Sequence, residues 1–460
     1  MLRFFIAFIL GKLTAVACRA AGVVSHRNGT NLPGAVALRI CPDFLDRIGK
    51  PDTVIAVTGT NGKTTTTNMA ADALEHVGYT VLSNRLGSNI NSGIATCLLS
   101  GAGLGNRSRY RIAVLEVDER SSLLIYPSLK PDYIVCTNLT RDSFRRNAHP
   151  HFIFDIMESA IPDGSTLILN SDDIISSALK RDNPRVYYAI DRQPDDKTEP
   201  FNLVNDMRIC PRCRHSLEYD YVRYNHIGSV HCPNCSLRSP EADYHGAAID
   251  RQKNTLTVTH AGESEEYRLL SPRVYNIYNQ LAVITLLRVL GIPCDKVKAA
   301  LDDTHIVNSR FSSETVGGIN ITTTMTKGWI GTAVSVAFDA VRSAPGQKEL
   351  VLMLEDTFDN ERSSENLCFI YESDFEFLNI PELERIVFTG VRANDFMLRM
   401  LLAGIDPNRL CLVHSIDDIA GALSLKPGTQ LHIVYCMHQR RAYERVLKSI
   451  RERIDGGEAL

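Results

Sequence analysis

A chain of 460 residues exceeds what one compact core holds and points to about three domains. Its composition, 44% hydrophobic and 22% charged, is globular and excludes a mostly disordered protein. With 50 basic against 53 acidic side chains the net charge is −3, which argues against nucleic-acid binding by bulk charge.

In chain order, Met1 to Ala21 first resembles a secretory leader, with Arg3, an apolar run from Phe4 to Leu10 and small residues around Cys18. Lys12 and Arg19 interrupt the run, so no apolar span of about 18 residues exists for a membrane helix. The expectation is an amphipathic helix, packed on the protein or resting on a membrane surface, within a helical or extended segment over residues 1–50.

Thr53 to Thr58 is a short β-branched run, the pattern of a buried parallel strand. It runs into Gly59-Thr60-Asn61-Gly62-Lys63-Thr64-Thr65-Thr66 and then into helical sequence. A strand, a glycine-rich turn and a helix N-terminus form a phosphate loop. Backbone N–H groups face the anion, Lys63 reaches the terminal phosphates as an exposed side chain, and the Thr64 hydroxyl can ligate Mg²⁺. Strand-like runs follow at Ile112 to Val117, Tyr133 to Thr137, Thr166 to Leu169 and Val186 to Ile190, with helix-like sequence between them. Polar groups gather at their carboxyl ends: Glu116 with Asp118 and Glu119, Asn138 with Asp142, Asn170 with Asp172 and Asp173. Singly each reads as a cap or a solvated charge. Collectively they favour a metal–nucleotide site.

Eight of the twelve cysteines are scattered, several within apolar stretches, as expected of reduced thiols in a cytosolic protein. The other four form two CxxC knuckles, Cys210/Cys213 and Cys232/Cys235, separated by 18 residues. That spacing predicts a closed, tetrahedral structural Zn²⁺ site in a ribbon over about 206–240. Redox chemistry and nucleic-acid binding through Arg208, Arg212, Arg214, Arg223 and Arg238 are the competing readings. Beyond a helix from Val297 to Asp302, a new α/β alternation has strands at Glu349 to Leu354, Arg385 to Phe388, Leu410 to Val413 and Gln430 to Tyr435. The domains are accordingly placed at 51–304 and 305–460, with a hinge near His305 to Arg310.

The loop Gly59 to Thr64 resembles that of the Mur ligases and folylpolyglutamate synthetases, enzymes that activate a carboxylate as an acyl phosphate and then form an amide. The resemblance implies a parallel-sheet ATPase domain with an inserted ribbon and a smaller α/β domain that closes over ATP. It implies Mg²⁺ on Thr64 and Glu116, and ATP held by Thr60, Asn61, Gly62, Lys63, Thr64, Thr65, Asn138, Asn279 and Arg310. The CxxC pairs, Gly29-Thr30-Asn31-Leu32-Pro33-Gly34, Glu116-Val117-Asp118-Glu119 and Thr137-Asn138-Leu139-Thr140-Arg141-Asp142 narrow the resemblance to the MurT group, as does Gly390-Val391-Arg392-Ala393-Asn394-Asp395.

For that group the resemblance implies a heterodimer with a GatD-type glutaminase that supplies ammonia, lipid II as substrate, and work at the inner face of the membrane. It also implies an acid near Asp356, Glu365 and Asn366 that completes the glutaminase's Cys–His pair. Asparagine at 366 departs from the pattern, because it can orient a histidine but cannot stabilise it as a cation. Lys327-Gly328-Trp329-Ile330-Gly331 departs too, lacking the group's asparagine and proline. An amino-acid-adding ligase and a degraded scaffold paralogue are the alternatives.

Overall fold

The computed structural model describes residues 1–25, 31–85, 88–142, 149–304, 311–326, 329–354 and 367–456. Gly29, Thr30, the segment His305 to Arg310, Lys327, Gly328, Asp356, Glu365 and Asn366 lie outside the described residues. The chain divides into two compact units. One holds Met1–Thr140, Pro150–Pro200 and Met207–Ile306; the other holds Arg141–His149, Phe201–Asp206 and Val307–Leu460.

The first unit opens with three helices, α1 (Leu2–Ser25), α2 (Leu32–Ile40) and α3 (Phe44–Arg47). Strand and helix then alternate: β1 (Thr53–Thr58), α4 (Lys63–His76), β2 (Val81–Ser83), α5 (Asn91–Gly101), β3 (Ile112–Glu116), α6 (Ser122–Leu129), β4 (Tyr133–Cys136), α7 (Pro150–Ala160), β5 (Thr166–Asn170) and β6 (Arg185–Ile190). A hairpin, β7 (Glu218–Tyr224) and β8 (Ile227–His231), precedes a meander of β9 (Tyr244–Asp250), β10 (Thr255–His260) and β11 (Glu263–Arg268), then α8 (Val274–Val289) and α9 (Cys294–Asp302). Nine strands form one sheet in the order β11-β10-β9-β6-β5-β4-β1-β3-β2. The run from β9 to β2 is parallel, while β10 and β11 are antiparallel additions at one edge.

Period-two alternation builds both cores. Val54 and Ala56 of β1 face the layer that contains α1, α2, α5, α6 and α7, whereas Ile55 and Val57 face α4, α8 and α9. Because both faces are covered, the strands read as near-continuous apolar runs. α1 is an integral part of its layer: Phe4, Ala7 and Phe8 are buried in that core, and Lys12 Nζ donates to the Ala102 carbonyl at 2.6 Å. Gly34 explains the end of the Leu32-Pro33-Gly34 motif. A Cβ there would lie 2.0 Å from the Ser92 carbonyl oxygen, and its N–H donates to Thr96 Oγ1 at 2.8 Å, so only glycine lets α2 approach α5.

The second unit contains β12 (Phe311–Val316), β13 (Ile319–Thr326), α10 (Gly331–Ser343), β14 (Lys348–Met353), α11 (Cys368–Glu372), β15 (Leu383–Phe388), α12 (Ala393–Leu402), β16 (Leu410–Leu412), α13 (Ile419–Ala422), β17 (Gln430–Cys436) and α14 (Arg440–Asp455). Its sheet order is β12-β13-β17-β14-β15-β16, parallel except for the β12–β13 hairpin. Again the strands sort residues to two faces: Leu350 and Leu352 pack with Phe338, Phe375 and Phe396, and Val351 and Met353 pack with Val446 and Ile450.

Two features departed from the sequence expectation. The β9–β11 meander and the β12–β13 hairpin were not anticipated, because strands such as Glu263–Arg268 are polar edge strands with little apolar periodicity. The acidic stretch Asp374-Phe375-Glu376 has structural partners. Asp374 accepts from Asn202 Nδ2 at 2.8 Å and the Leu203 N–H at 2.6 Å, Phe375 is buried, and Glu376 pairs with Arg399 at 2.8 Å.

A candidate nucleotide site and a four-cysteine ribbon

β1 lies between β3 and β4, where the strand order reverses direction, and its carboxyl end carries the glycine-rich loop. In doubly wound sheets that reversal opens a crevice for ligands. Gly62 is the N-cap of α4 in the left-handed region, φ +89°, with no side-chain cap. The first N–H groups of α4 therefore point away from the helix without an intrahelical acceptor, the arrangement that attracts phosphate. A Cβ on Gly62 would lie 2.2 Å from Asn279 Oδ1, so α8 presses its asparagine directly on the loop.

The loop is held from β4. Asn138 Oδ1 accepts from the Asn61 N–H at 3.2 Å, and its Nδ2 donates to the Asn61 carbonyl at 3.0 Å. Thr137 Oγ1 donates to the same carbonyl at 2.6 Å. Thr60 and Thr140 bond reciprocally: the Thr60 hydroxyl donates to the Thr140 carbonyl at 3.0 Å and accepts from the Thr140 N–H at 3.1 Å. Asn61 Nδ2 reaches Thr140 Oγ1 at 3.0 Å. Thr60, Asn61 and Asn138 thus fix one another across a gap of about 80 residues, and the site is preorganised by its neighbouring strand.

Lys63 differs from the expectation of an exposed lysine. It is 9% exposed, because its Nζ donates to the Gly59 carbonyl and to Glu119 Oε1, the latter at 2.8 Å. Burial opposes its charge, but the Glu119 carboxylate, backed by Glu116 and Asp118, outweighs burial and holds its pKa above the ordinary value. The ammonium is therefore kept. Glu119 is the partner of Lys63 that residue spacing could not rank, since it was one of several acids after β3. Glu116 ends β3, and Asn89 Nδ2 donates to its Oε1 at 2.8 Å; Asn84 bonds both its N–H and its carbonyl at 2.9 Å. Thr64 is exposed beside the loop and Thr65 is half-buried. A buried cation, carboxylates at the adjacent strand end and open helix N–H groups fit a phosphate chain with a divalent ion, which Thr64 and Glu116 would hold through oxygen.

The other strand-end acids have different roles. Asp172 accepts from Tyr221 at 2.7 Å, Tyr278 at 2.6 Å and Arg223 at 2.9 Å. Asp173 accepts from the Leu139 N–H at 2.6 Å and the Ile175 N–H at 3.0 Å. Asp172 ties β7 and α8 to the end of β5 and so anchors the ribbon to the nine-stranded sheet, while Asp173 holds the segment after β4.

In the ribbon the Cys213 and Cys232 sulfurs are 3.3 Å apart, those of Cys210 and Cys235 are 3.6 Å apart, and all four lie within 4.8 Å of one another. Tetrahedral ligation at a metal–sulfur distance near 2.3 Å requires an edge of about 3.8 Å, so the four thiols fit Zn²⁺. The two knuckles have equivalent backbones: the Cys210 N–H donates to the His215 carbonyl and the Cys232 N–H to the Leu237 carbonyl, each at 2.8 Å. The backbone N–H of His215, with help from Asn234, draws the Cys213 thiol down to about 6. Arg223, one of the arginines considered for nucleic acid, is 4% exposed and paired with Asp172 and Asp196, which removes it from any such surface.

Fold and loop together resemble those of ATP-dependent ligases of the Mur type. The Mur ligase middle-domain family matches residues 57–205, and the MurT ligase C-terminal family matches residues 331–437. Over 408 residues, 88% of this chain and 89% of the relative, the chain is 29% identical to "Lipid II isoglutaminyl synthase (glutamine-hydrolyzing) subunit MurT" from Staphylococcus aureus. The protein of that name from Streptococcus pneumoniae is 28% identical over 85% of this chain and 86% of its own. Among solved structures, a pseudomurein peptide ligase type C from Methanothermus fervidus superposes with a TM-score of 0.67 at 19% identity, covering 89% of this chain and 81% of that one, a likeness of fold. The chain is thus similar to Mur ligases in general over its middle domain and to MurT ligases over its C-terminal domain.

Proposed function

We propose that this chain is the ligase subunit of a lipid II isoglutaminyl synthase. In this reading ATP transfers its γ-phosphoryl group to the α-carboxylate of the D-glutamate in lipid II, giving an acyl phosphate and ADP. Ammonia then attacks the carbonyl carbon, and phosphate leaves as the amide forms. The observation that carries the reading is the occurrence, in one chain, of a preorganised phosphate loop and a MurT-type C-terminal domain. Mg²⁺, once bound, neutralises charge on the transferring phosphoryl group. This chain's own part is to orient: open N–H groups of α4 face the phosphates, Lys63 supplies the cation, and the β4 side chains keep the loop from relaxing. Such chemistry requires cytoplasmic ATP. Ammonia comes from a GatD-type glutaminase partner, since the relatives' name includes glutamine hydrolysis and a subunit.

The test compares ammonium and glutamine as donors for amidation of lipid II, with the glutaminase present. Carboxylate activation depends on Lys63, Thr64 and Glu116 and proceeds with ammonium. If the acid that serves the partner's histidine has been lost at Asn366, glutamine use is slow, and Asn366→Asp raises it selectively by about 10²-fold or more. If Glu365, Asp359 or Asp356 supplies the acid, its alanine variant loses glutamine use alone. Failure of both donors in the wild-type complex refutes the amidation reading.

A further inference from the structure

α1 has two apolar faces, and among the described residues only one of them is packed into the core. Phe4, Ala7, Phe8 and Gly11 point into the core. On the opposite side Leu2, Phe5, Ile6, Ile9, Leu13 and Val16 follow the three- and four-residue spacing of a helix face, and each is between 43% and 76% exposed. That stripe is about 21 Å long at 1.5 Å per residue. Contiguous exposure of this kind on a globular protein marks an interaction site. Arg3 and Arg19 are exposed on the two flanks of the stripe, and among the described residues neither forms an ion pair. Lys12, on the Arg19 side, lies close to Arg19 and Arg109, whose charges, after burial, lower its pKa.

The charge pattern selects the occupant. The first 42 residues contain Arg3, Lys12, Arg19, Arg27 and Arg39 and no acid, a net charge of +5, whereas the remaining 418 carry 45 basic and 53 acidic side chains. A second copy docked on this face would bring two uncompensated cationic segments together, which opposes a symmetric dimer. A surface dense in negative charge with an apolar layer beneath it matches both features. Among the described residues no helix is long and apolar enough to cross a membrane.

We propose that α1 is an interfacial docking helix whose Leu2–Val16 stripe enters the acyl boundary of an anionic bilayer, with Arg3 and Arg19 at the level of the lipid phosphates. The helix lies in the membrane plane because its other face remains in the protein core. Binding requires neither ATP nor lipid II, so the proposal stands independently of the amidation reading.

Flotation of the full-length chain with vesicles tests it. Phosphatidylglycerol–phosphatidylcholine vesicles carry the protein, and binding falls about tenfold or more on pure phosphatidylcholine or in high salt. Ile9→Glu/Leu13→Glu lowers binding at least tenfold, as does Arg3→Glu/Arg19→Glu, and both variants keep the wild-type circular dichroism spectrum because the altered side chains are exposed. Equal binding to neutral vesicles, or no loss in either variant, overturns the proposal. A concentration-dependent dimer in light scattering that Leu13→Glu abolishes, without vesicle binding, overturns it in favour of a second copy. Amidation of detergent-solubilised acceptor with ammonium is read on the same variants and stays at the wild-type rate, which separates loss of docking from failure of the ligase reading.

Discussion

The phosphate loop and the cysteine ribbon lie in the same unit and are assembled in opposite ways. The ribbon's four ligands are confined to residues 210–235, and each knuckle is shaped by N–H···O bonds five residues apart. The loop takes its shape from Thr137, Asn138 and Thr140, which are 76 to 80 residues away, from Asn279 on α8, and from Glu119, 56 residues from Lys63. Local geometry suffices for a closed metal site. A site that must hold loop, cation and carboxylates in fixed relation needs a sheet that brings distant segments together.

The largest effects should fall on the loop. Lys63→Met should lower ATP turnover by about 10³-fold. It should also destabilise the unit by about 3–5 kcal/mol, because Glu119 would be left buried and unpaired. Denaturant unfolding should show most of that stability restored in Lys63→Met/Glu119→Gln, with turnover as low as in the single variant. If Lys63→Met is as stable as wild type, the buried pair described here is wrong.

The ribbon should respond differently. Purified protein should contain about one Zn²⁺ per chain, and Cys213→Ser should reduce that to near zero by metal analysis. Thermal unfolding should shift downward, while the steady-state KM for ATP stays within about threefold, since a closed site offers no position for substrate. A large selective change in kcat at unaltered stability would give the ribbon a part in the chemistry and erase the contrast.

The smallest effect sharpens the comparison most. Thr137→Val removes the hydroxyl that donates to the Asn61 carbonyl and leaves every ligand-facing group in place. One such bond contributes about 1 kcal/mol, so kcat/KM for ATP should fall roughly five- to tenfold with little change in unfolding midpoint. No change would mean that the loop keeps its shape without its β4 anchors.

Sequence alone determined the α/β class, the strand and loop at Thr53 to Thr66, and the four zinc-type ligands. Each of these depends on residue type at short spacing: β-branched runs, glycines at a turn, two CxxC pairs. The tertiary structure decided which of many strand-end acids lie beside the loop. Glu119 and Glu116 face Lys63, whereas Asp172 and Asp173 are occupied by Tyr221, Arg223, Tyr278 and backbone N–H groups. It also reversed the expected exposure of Lys63, and it showed that the N-terminal helix both packs on the protein and leaves an apolar face outside. The physical reason is common to all three. Exposure and charge pairing depend on which segments the sheet order makes neighbours, and residues separated by 50 to 100 positions along the chain carry no local signal of that adjacency.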